Sequence, residues 1–181
     1  MEAIKTLRNI IFYDHKTGKF TWLSRTPDMF EFSSGRTQEA KCMAFNSYKA
    51  GKPAGSLNKA GYVQIQINKR NCLAHRIAWI YHYGHAPTGQ IDHINCDKTD
   101  NRIFNLRIAT PSENSRNQIG KSTNTSGYKG VSWNKQMKKW LAQICSNNIA
   151  KHIGYFDTKE NAYAAYCEYA KHLHGEFARV S

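Results

Sequence analysis

The chain has 181 residues, with 26 Lys and Arg against 13 Asp and Glu, and a net charge of +13. This length suits one medium domain or two small ones, and an apolar content of 40% argues against general disorder. The positive excess favours a polyanionic partner, because cations that neutralise phosphates release counterions. A basic surface that only aids solubility is the alternative. Tyr, Trp and Asn interleaved among the cations favour nucleic acid.

The five cysteines are scattered and form no CxxC pair, so neither a disulfide framework nor a zinc knuckle is indicated. They are Cys42, Cys72, Cys96, Cys145 and Cys167. The N-terminal segment lacks the apolar core of a signal peptide, and no apolar run reaches the roughly 18 residues of a membrane span. We therefore expect an intracellular protein that is not secreted and has no membrane partner.

The N-terminal part predicts mixed local structure. Ile4, Leu7, Ile10 and Ile11 recur at helical spacing, and a strand, a turn and a second strand follow as far as Trp22. Residues 24–55 are irregular and are interpreted as a loop.

From Val63 to Ile67 apolar and polar residues alternate, which is typical of a half-buried strand. A short helix then ends at Gly84. We interpret His75, His82 and His85, on or near this helix, as structural side chains.

The stretch from Ile91 to Asn114 predicts a strand, a polar turn, a second strand and a helix start. The capping box Thr110-Pro111-Ser112-Glu113 fixes the start of the helix, with proline at its first position. Asn114 therefore lies in the first helical turn. Residues 106–109 form the second strand, and residues 95–101 form the turn.

This order would bring the oxygen ligands of Asp92 and Asn114 together, in a pair that suits Mg²⁺. His93 follows Asp92, and a neutral imidazole there can take a proton from an attacking water, provided that the strand end twists. Asn105 would pin the loop that holds Asp92 and His93. Each residue also has a structural reading: Asp92 as a turn cap, His93 as a hydrogen-bonding group, Asn105 as a loop residue and Asn114 as an exposed helix residue.

Residues 74–117 resemble the HNH homing endonucleases of phages and mobile introns, through AHRIAW and IDHINCDKTDNRIFNLRIATPSENSRN. His93 matches the first His of the family and Asn105 its central Asn, while Asn114 replaces the usual final His, as in the H-N-N variant. The resemblance implies a ββα-metal fold that cuts one DNA strand, with an Asp before the first His on the metal. The missing His favours Mg²⁺ or Mn²⁺ over softer metals.

Residues 120–127 (GKSTNTSG) predict a linker. Three strands are then predicted at residues 128–133, 139–144 and 152–156, followed by a helix that Asp157 or Thr158 caps. The helix would cover one face of the sheet and leave Lys and Trp side chains on the other.

The C-terminal segments YKGVSW, KKWLAQI and GYFDTKENAYAAY are similar to the ethylene-response-factor (apetala-type) DNA-binding domain, whose sheet enters the major groove. The resemblance implies DNA contacts from the sheet and its turn, although Ser132 stands where the family usually has Arg. Both tryptophans also have a reading as packing residues. The implied DNA-binding residues are Lys129, Trp133, Lys135, Lys139, Trp140 and Gln143.

Together these patterns predict an α+β protein with an N-terminal scaffold at 1–73, an HNH core at 74–119, a linker at 120–127 and a DNA-binding domain at 128–181. We expect a site-preferring, divalent-metal-dependent DNA endonuclease that nicks one strand of double-stranded DNA, as a monomer or weak dimer without a small-molecule cofactor. Its expected location is the cytoplasm of a phage-infected bacterium. The alternative is a DNA-binding regulator whose nuclease unit is inert. An RNA-binding role is poorer, because the sheet lacks a paired aromatic platform.

Overall fold

A computed structural model describes residues 2–31, 35–117, 124–146 and 149–178. The chain divides into two compact units, Met1–Ile108 and Ala109–Ser181. Within the described ranges no helix has both the length and the apolar character needed to cross a lipid bilayer.

The described part of the first unit contains three small sheets and three α-helices. A hairpin of β1 and β2 and the three-stranded sheet β3-β4-β5 are antiparallel, and β6 pairs with β7. The elements are α1 (Glu2–Ile10), β1 (Ile11–Asp14), β2 (Lys19–Trp22), α2 (Gln38–Tyr48), β3 (Ser56–Leu57), β4 (Val63–Ile67), β5 (Arg70–Leu73), α3 (Ala74–Tyr83), β6 (Gln90–His93) and β7 (Leu106–Ala109).

Several of these elements confirm the patterns of the sequence. Strand β4 turns back into β5 through Asn68 and Lys69, and the buried Ile65 lies opposite Cys72. Helix α3 ends at Gly84, which adopts the left-handed conformation. The buried faces of α3, β1, β2 and β4 form one apolar core, and Ile91, Ile103 and Leu106 join it from the segment around β6 and β7. The core therefore anchors both strands of the predicted nuclease unit.

The prediction of a loop over residues 24–55 was wrong for α2. The Thr37 hydroxyl caps this helix by accepting a hydrogen bond from the Ala40 amide at 3.2 Å. Only a few side chains attach it to the core, notably Phe45, whose ring meets the edge of Trp22 and lies under the Arg25 guanidinium. The helix therefore lacks the continuous apolar stripe that reveals a helix in a sequence.

The second unit is a three-stranded antiparallel sheet with a long helix on one face. Val131 of β8, Ala142 of β9 and Ala162 of α5 form the centre of the contact, and the strand order is β10-β9-β8. The elements are α4 (Pro111–Asn117), β8 (Val131–Asn134), β9 (Lys139–Ser146), β10 (Ile149–Phe156) and α5 (Lys159–His174). The α+β class is confirmed.

Several boundaries differ from the sequence prediction, among them the start of the third strand, which is Ile149 rather than residue 152. The first strand of this sheet begins at Val131 rather than at residue 128, because residues 128–130 form a turn. Of the predicted linker, residues 120–123 lie outside the described ranges, whereas residues 124–127 are a hydrogen-bonded turn. Its Ser126 hydroxyl is buried and donates to the carbonyl oxygen of Val131 at 2.8 Å.

Gly18 provides a test of how the β1–β2 hairpin supports the polar turn at residues 95–101 and the residue that follows it. Both Gly18 and Gly84 have a positive φ, at 72° and 80°, but a Cβ at Gly18 would lie 2.5 Å from the Arg102 amide nitrogen, whereas one at Gly84 would meet no described atom within 4 Å. We expect Gly84→Ala to lower the free energy of unfolding by about 1 kcal/mol through backbone strain. Gly18→Ala should lose about 1–3 kcal/mol more through the backbone clash. Urea unfolding measures both losses, and equal losses would contradict the predicted role of Gly18.

Candidate functional site

The end of β6 buries two ionisable residues in succession. Ile91, Asp92 and His93 are all buried, which departs from the alternation of a strand with one solvent-facing side. A carboxylate and an imidazole are thus both withdrawn from water, so each requires polar partners.

Asp92 is paired with an arginine from the neighbouring strand. The Nε atom of Arg107, on β7, donates to Oδ2 of Asp92 at 2.8 Å, and its Nη2 atom lies 2.8 Å from the same oxygen. The side chains are 5% and 14% exposed for Asp92 and Arg107, so the ion pair is shielded from solvent. Arg107 was not among the site residues predicted from the sequence. Its place on the second strand of the predicted strand–turn–strand unit was the signal that could have revealed it.

His93 has a different set of neighbours. Its Nε2 atom is 3.5 Å from Oδ1 of Asn101, and its ring meets the ring of His75 nearly perpendicularly at a centroid distance of 5.1 Å. The ring of Tyr62 lies 6.0 Å away. Burial lowers the pKa of His93, and the contact with Asn101 partly opposes this effect. The imidazole is therefore neutral at pH 7, which is the form that can accept a proton.

His75 is buried, and its ring packs against the ring of His93. Burial lowers its pKa to about 4, with smaller contributions in the same direction from His93 and Arg76. Its Nδ1 atom has no hydrogen-bond partner among the described residues. The interpretation of His75 as structural left out this direct contact with His93.

Asn105 closes the polar loop that follows β6. Its Oδ1 atom accepts from the Asn95 amide at 3.0 Å, and its Nδ2 atom donates to the Asn95 side chain and to the Asp100 carbonyl, each at 2.9 Å. Its own carbonyl accepts from the Ile94 amide. The buried side chain thus fixes both ends of the loop between β6 and residue 101.

Asn114 lies in α4, in the second unit, whereas Asp92, His93 and Asn105 lie in the first. The predicted capping box is present, since the Glu113 carboxylate accepts from the Thr110 amide at 2.7 Å, and the Thr110 hydroxyl accepts from the Glu113 amide at 3.3 Å. The Asn114 amide donates to the Thr110 carbonyl. The capping box therefore places Asn114 in the first turn of α4.

The first unit offers one hard oxygen donor for a divalent ion. No cluster of three or more His, Cys, Asp or Glu able to hold a metal occurs in the part of the chain that the structure describes. This donor is the carboxylate of Asp92, and Mg²⁺ commonly takes its other ligands from water and phosphate. The Arg107 guanidinium already neutralises the carboxylate of Asp92, which lowers its attraction for a further cation.

In the second unit, the tryptophans do not lie on the open face of the sheet. Trp133 lies opposite Trp140 and Val131 lies opposite Ala142. Because residues two apart on a strand point to the same face, all four side chains lie on the side of the sheet that packs against α5. The expectation that the open face carries these tryptophans was wrong, because the pleat assigns them to the helix side. Trp133 remains 45% exposed at the margin of that side.

By alternation with the buried Ala142 and Ile144, the open face carries four side chains of β9, namely Lys139, Leu141, Gln143 and Cys145. Lys139 lies 3.1 Å from the Asp157 carboxylate, in an exposed pair of small energetic value.

The remaining two predicted DNA-binding lysines lie outside the strands. Lys135 is exposed in the turn after β8. Lys129 precedes β8, and its ammonium group donates to the Arg116 carbonyl near the end of α4, where a cation is favoured by the carbonyl groups of the helix terminus.

The pKa of His75 predicts an acid-sensitive fold. The unfolded state binds a proton near the ordinary value of 6.5 and the folded state only near 4, so stability is lost as the pH falls between these values. We expect His75→Phe, which keeps a ring but cannot titrate, to remove about 2 kcal/mol of the stability loss between pH 7 and pH 5. Urea unfolding at both pH values measures it. The exposed His85→Gln is the control and should retain the wild-type loss; an unchanged loss in His75→Phe would refute the assignment.

Comparison with known proteins gives two family matches. Residues 72–116 match the model of an HNH endonuclease, and residues 126–176 match that of an AP2 domain. These matches confirm the two resemblances indicated by the sequence motifs.

Two viral proteins are similar over longer stretches. Protein 3.8 of Escherichia phage T7 is 35% identical over 106 residues, which cover 58% of this chain and 87% of the phage protein. An uncharacterized HNH endonuclease, L560, of Acanthamoeba polyphaga mimivirus is 34% identical over 125 residues, which cover 67% of this chain and 63% of the viral protein. No solved structure matches the chain significantly. The chain therefore contains an HNH endonuclease segment followed by an AP2 DNA-binding domain, and it belongs to the same family as Protein 3.8 of phage T7.

Proposed function

We propose that the protein is a site-preferring, divalent-metal-dependent DNA endonuclease that nicks one strand. The observation that carries the proposal is the buried His93, kept neutral by its surroundings and adjacent in the chain to the carboxylate of Asp92. The Asn105 hydrogen bonds that hold the loop after these two residues support it. Like the mimivirus relative named as an HNH endonuclease, the chain would act on nucleic acid, and its charge of +13 suits that substrate.

His93 would act as the general base on a water molecule. The Asn101 amide nitrogen donates to the Thr99 carbonyl at 3.0 Å, which directs the amide oxygen of Asn101 toward Nε2 of His93. This orientation favours a proton on Nε2, so the Nδ1 lone pair is the one that would take the proton from water. Asn101 would therefore have a positioning role, although it was not among the site residues predicted from the sequence.

Asp92 and Asn114 would hold the divalent ion, with Mg²⁺ favoured and Mn²⁺ as the alternative, because both side chains offer hard oxygen atoms. When bound, the ion would neutralise the phosphate and the oxygen that leaves. Asn105 would keep the loop closed around Asp92 and His93 without touching the substrate.

The AP2 domain would choose the site. Its open face presents Gln143 and Lys139 for base edges, while Lys135 in the exposed turn would contact phosphate. Trp133 and Trp140 would contribute by shaping the sheet from the helix side. We further propose that the protein works as a monomer or weak dimer in the cytoplasm of a phage-infected bacterium, since one of its relatives is a phage protein.

A plasmid assay tests the catalytic assignment. Supercoiled plasmid incubated with the protein and Mg²⁺ should convert to open circles, and EDTA should stop the conversion. His93→Ala should lower the rate about 100-fold or more, because a positioned general base contributes about 10²–10⁴-fold. Gel electrophoresis over time provides the rates.

The exposed His85→Ala is the matched control and should nick at the wild-type rate. Binding of DNA without cleavage under Mg²⁺, Mn²⁺ and other divalent ions would favour the alternative, a regulator with an inert nuclease unit. Linear plasmid as the first product would overturn the proposal of single-strand nicking.

Two substitutions separate base reading from phosphate contact in the AP2 domain. Lys135→Gln should weaken binding to all sequences alike and reduce the slope of log affinity against log salt by about 0.9. Gln143→Ala should reduce discrimination between target and unrelated DNA by about 1–3 kcal/mol while leaving the slope unchanged. Fluorescence anisotropy over a salt series measures both quantities. Lys171→Gln, exposed on α5, controls for lost charge, and an identical fall in slope there would contradict a specific role for Lys135.

A further inference from the structure

The buried pair of Asp92 and Arg107 places a permanent cation on the carboxylate that would bind the metal. Both contacts from Arg107 end on the same oxygen, Oδ2, at 2.8 Å, and both side chains are largely buried. A guanidinium stays protonated at every pH at which the protein is folded. The carboxylate of Asp92 and the guanidinium of Arg107 therefore neutralise each other's charge.

We propose that Arg107 is a positioning residue that holds Asp92 in the free protein and releases it when DNA binds. The affinity for the metal ion then depends on DNA. This inference rests on the proposed function of Asp92. Its consequence is that the free protein binds divalent ions weakly, while the complex with DNA binds them more tightly.

The weak binding follows from electrostatics at a shielded site. A divalent cation that approaches Asp92 meets the positive charge of Arg107 at close range, and few water molecules screen the repulsion. Of the nearby carboxylates that influence His93, Asp100 is itself paired with Arg102 at 2.6 Å. Asp97, the third of these carboxylates, accepts hydrogen bonds from the Thr99 amide and hydroxyl within the polar loop.

A DNA phosphate offers Arg107 another partner. The planar guanidinium pairs with phosphate as well as with carboxylate, through two parallel hydrogen bonds. Transfer of Arg107 to phosphate releases Asp92 for the metal, and the phosphate adds negative charge of its own. Because binding free energies are reciprocal, bound metal must then strengthen the binding of DNA by the same factor.

The principal test measures the binding of Mn²⁺ alone to the full chain without DNA, by electron paramagnetic resonance of the unbound ion. Arg107→Gln removes the charge and should raise the Mn²⁺ affinity about tenfold or more over the wild type, because the carboxylate of Asp92 loses its competing cation. Arg70→Gln removes one exposed charge from the same unit and should leave the affinity unchanged. An affinity of Arg107→Gln equal to or below that of the wild type overturns the inference.

A second measurement covers the possibility that Arg107→Gln does not fold. Arg107→Lys keeps the charge but replaces the two contacts of the guanidinium with a single ammonium contact, and should raise the Mn²⁺ affinity about threefold. An affinity at or below the wild-type value in this variant also overturns the inference.

The DNA arm uses His93→Ala as the background, so that the duplex stays intact. DNA should raise the Mn²⁺ affinity of this protein by a larger factor than that of His93→Ala combined with Arg107→Gln, and equal factors contradict the transfer of Arg107. If the wild type nicks plasmid but Arg107→Gln binds Mn²⁺ no more tightly than the wild type, this inference is refuted and the proposed function stands. Wild type that neither nicks plasmid nor binds Mn²⁺ with DNA present refutes the proposed function.

Discussion

The candidate site depends on the side chain of Asn105. Its amide uses both its acceptor and its donor atoms within the loop after β6, and its carbonyl accepts a further amide from the same loop. A buried amide with these bonds is costly to replace, because each orphaned partner would lose its hydrogen bond away from water. Asn105 thereby holds the end of β6, and with it Asp92 and His93, in one conformation. The apolar core beneath it supplies stability but not this geometry.

Burial gives Asp92 and His93 their chemical states by two different routes. His93 is surrounded by aromatic rings, including His75, and remains neutral because its charged form is poorly solvated. Asp92 meets a guanidinium, which stabilises the carboxylate and neutralises its charge at once. A neutral base and a compensated carboxylate can lie side by side in a low-dielectric environment with little electrostatic cost. The two residues are adjacent in the chain, yet their partners come from different parts of the unit.

Local patterns in the sequence predicted local structure well. The capping box at Thr110, the alternation around Ile65 and the stop at Gly84 each depend on a few neighbouring residues, and each is found. The partners of the site residues could not be predicted in this way. The pairing of Arg107 with Asp92 depends on strand register, and the contact of His75 with His93 depends on how α3 packs. Helix α2 escaped prediction for a related reason, since tertiary contacts rather than an apolar stripe hold it.

The side of the sheet on which the tryptophans lie has a consequence for how target choice can evolve. Trp133 and Trp140 belong to the helix side, so the packing of these two rings does not involve the side chains of the opposite face. Substitutions at exposed positions away from the core usually change stability by less than about 0.5 kcal/mol. Positions such as Gln143 can therefore vary while the fold persists. A lineage carrying this domain could acquire new recognition sequences by single substitutions, without an intermediate variant that fails to fold.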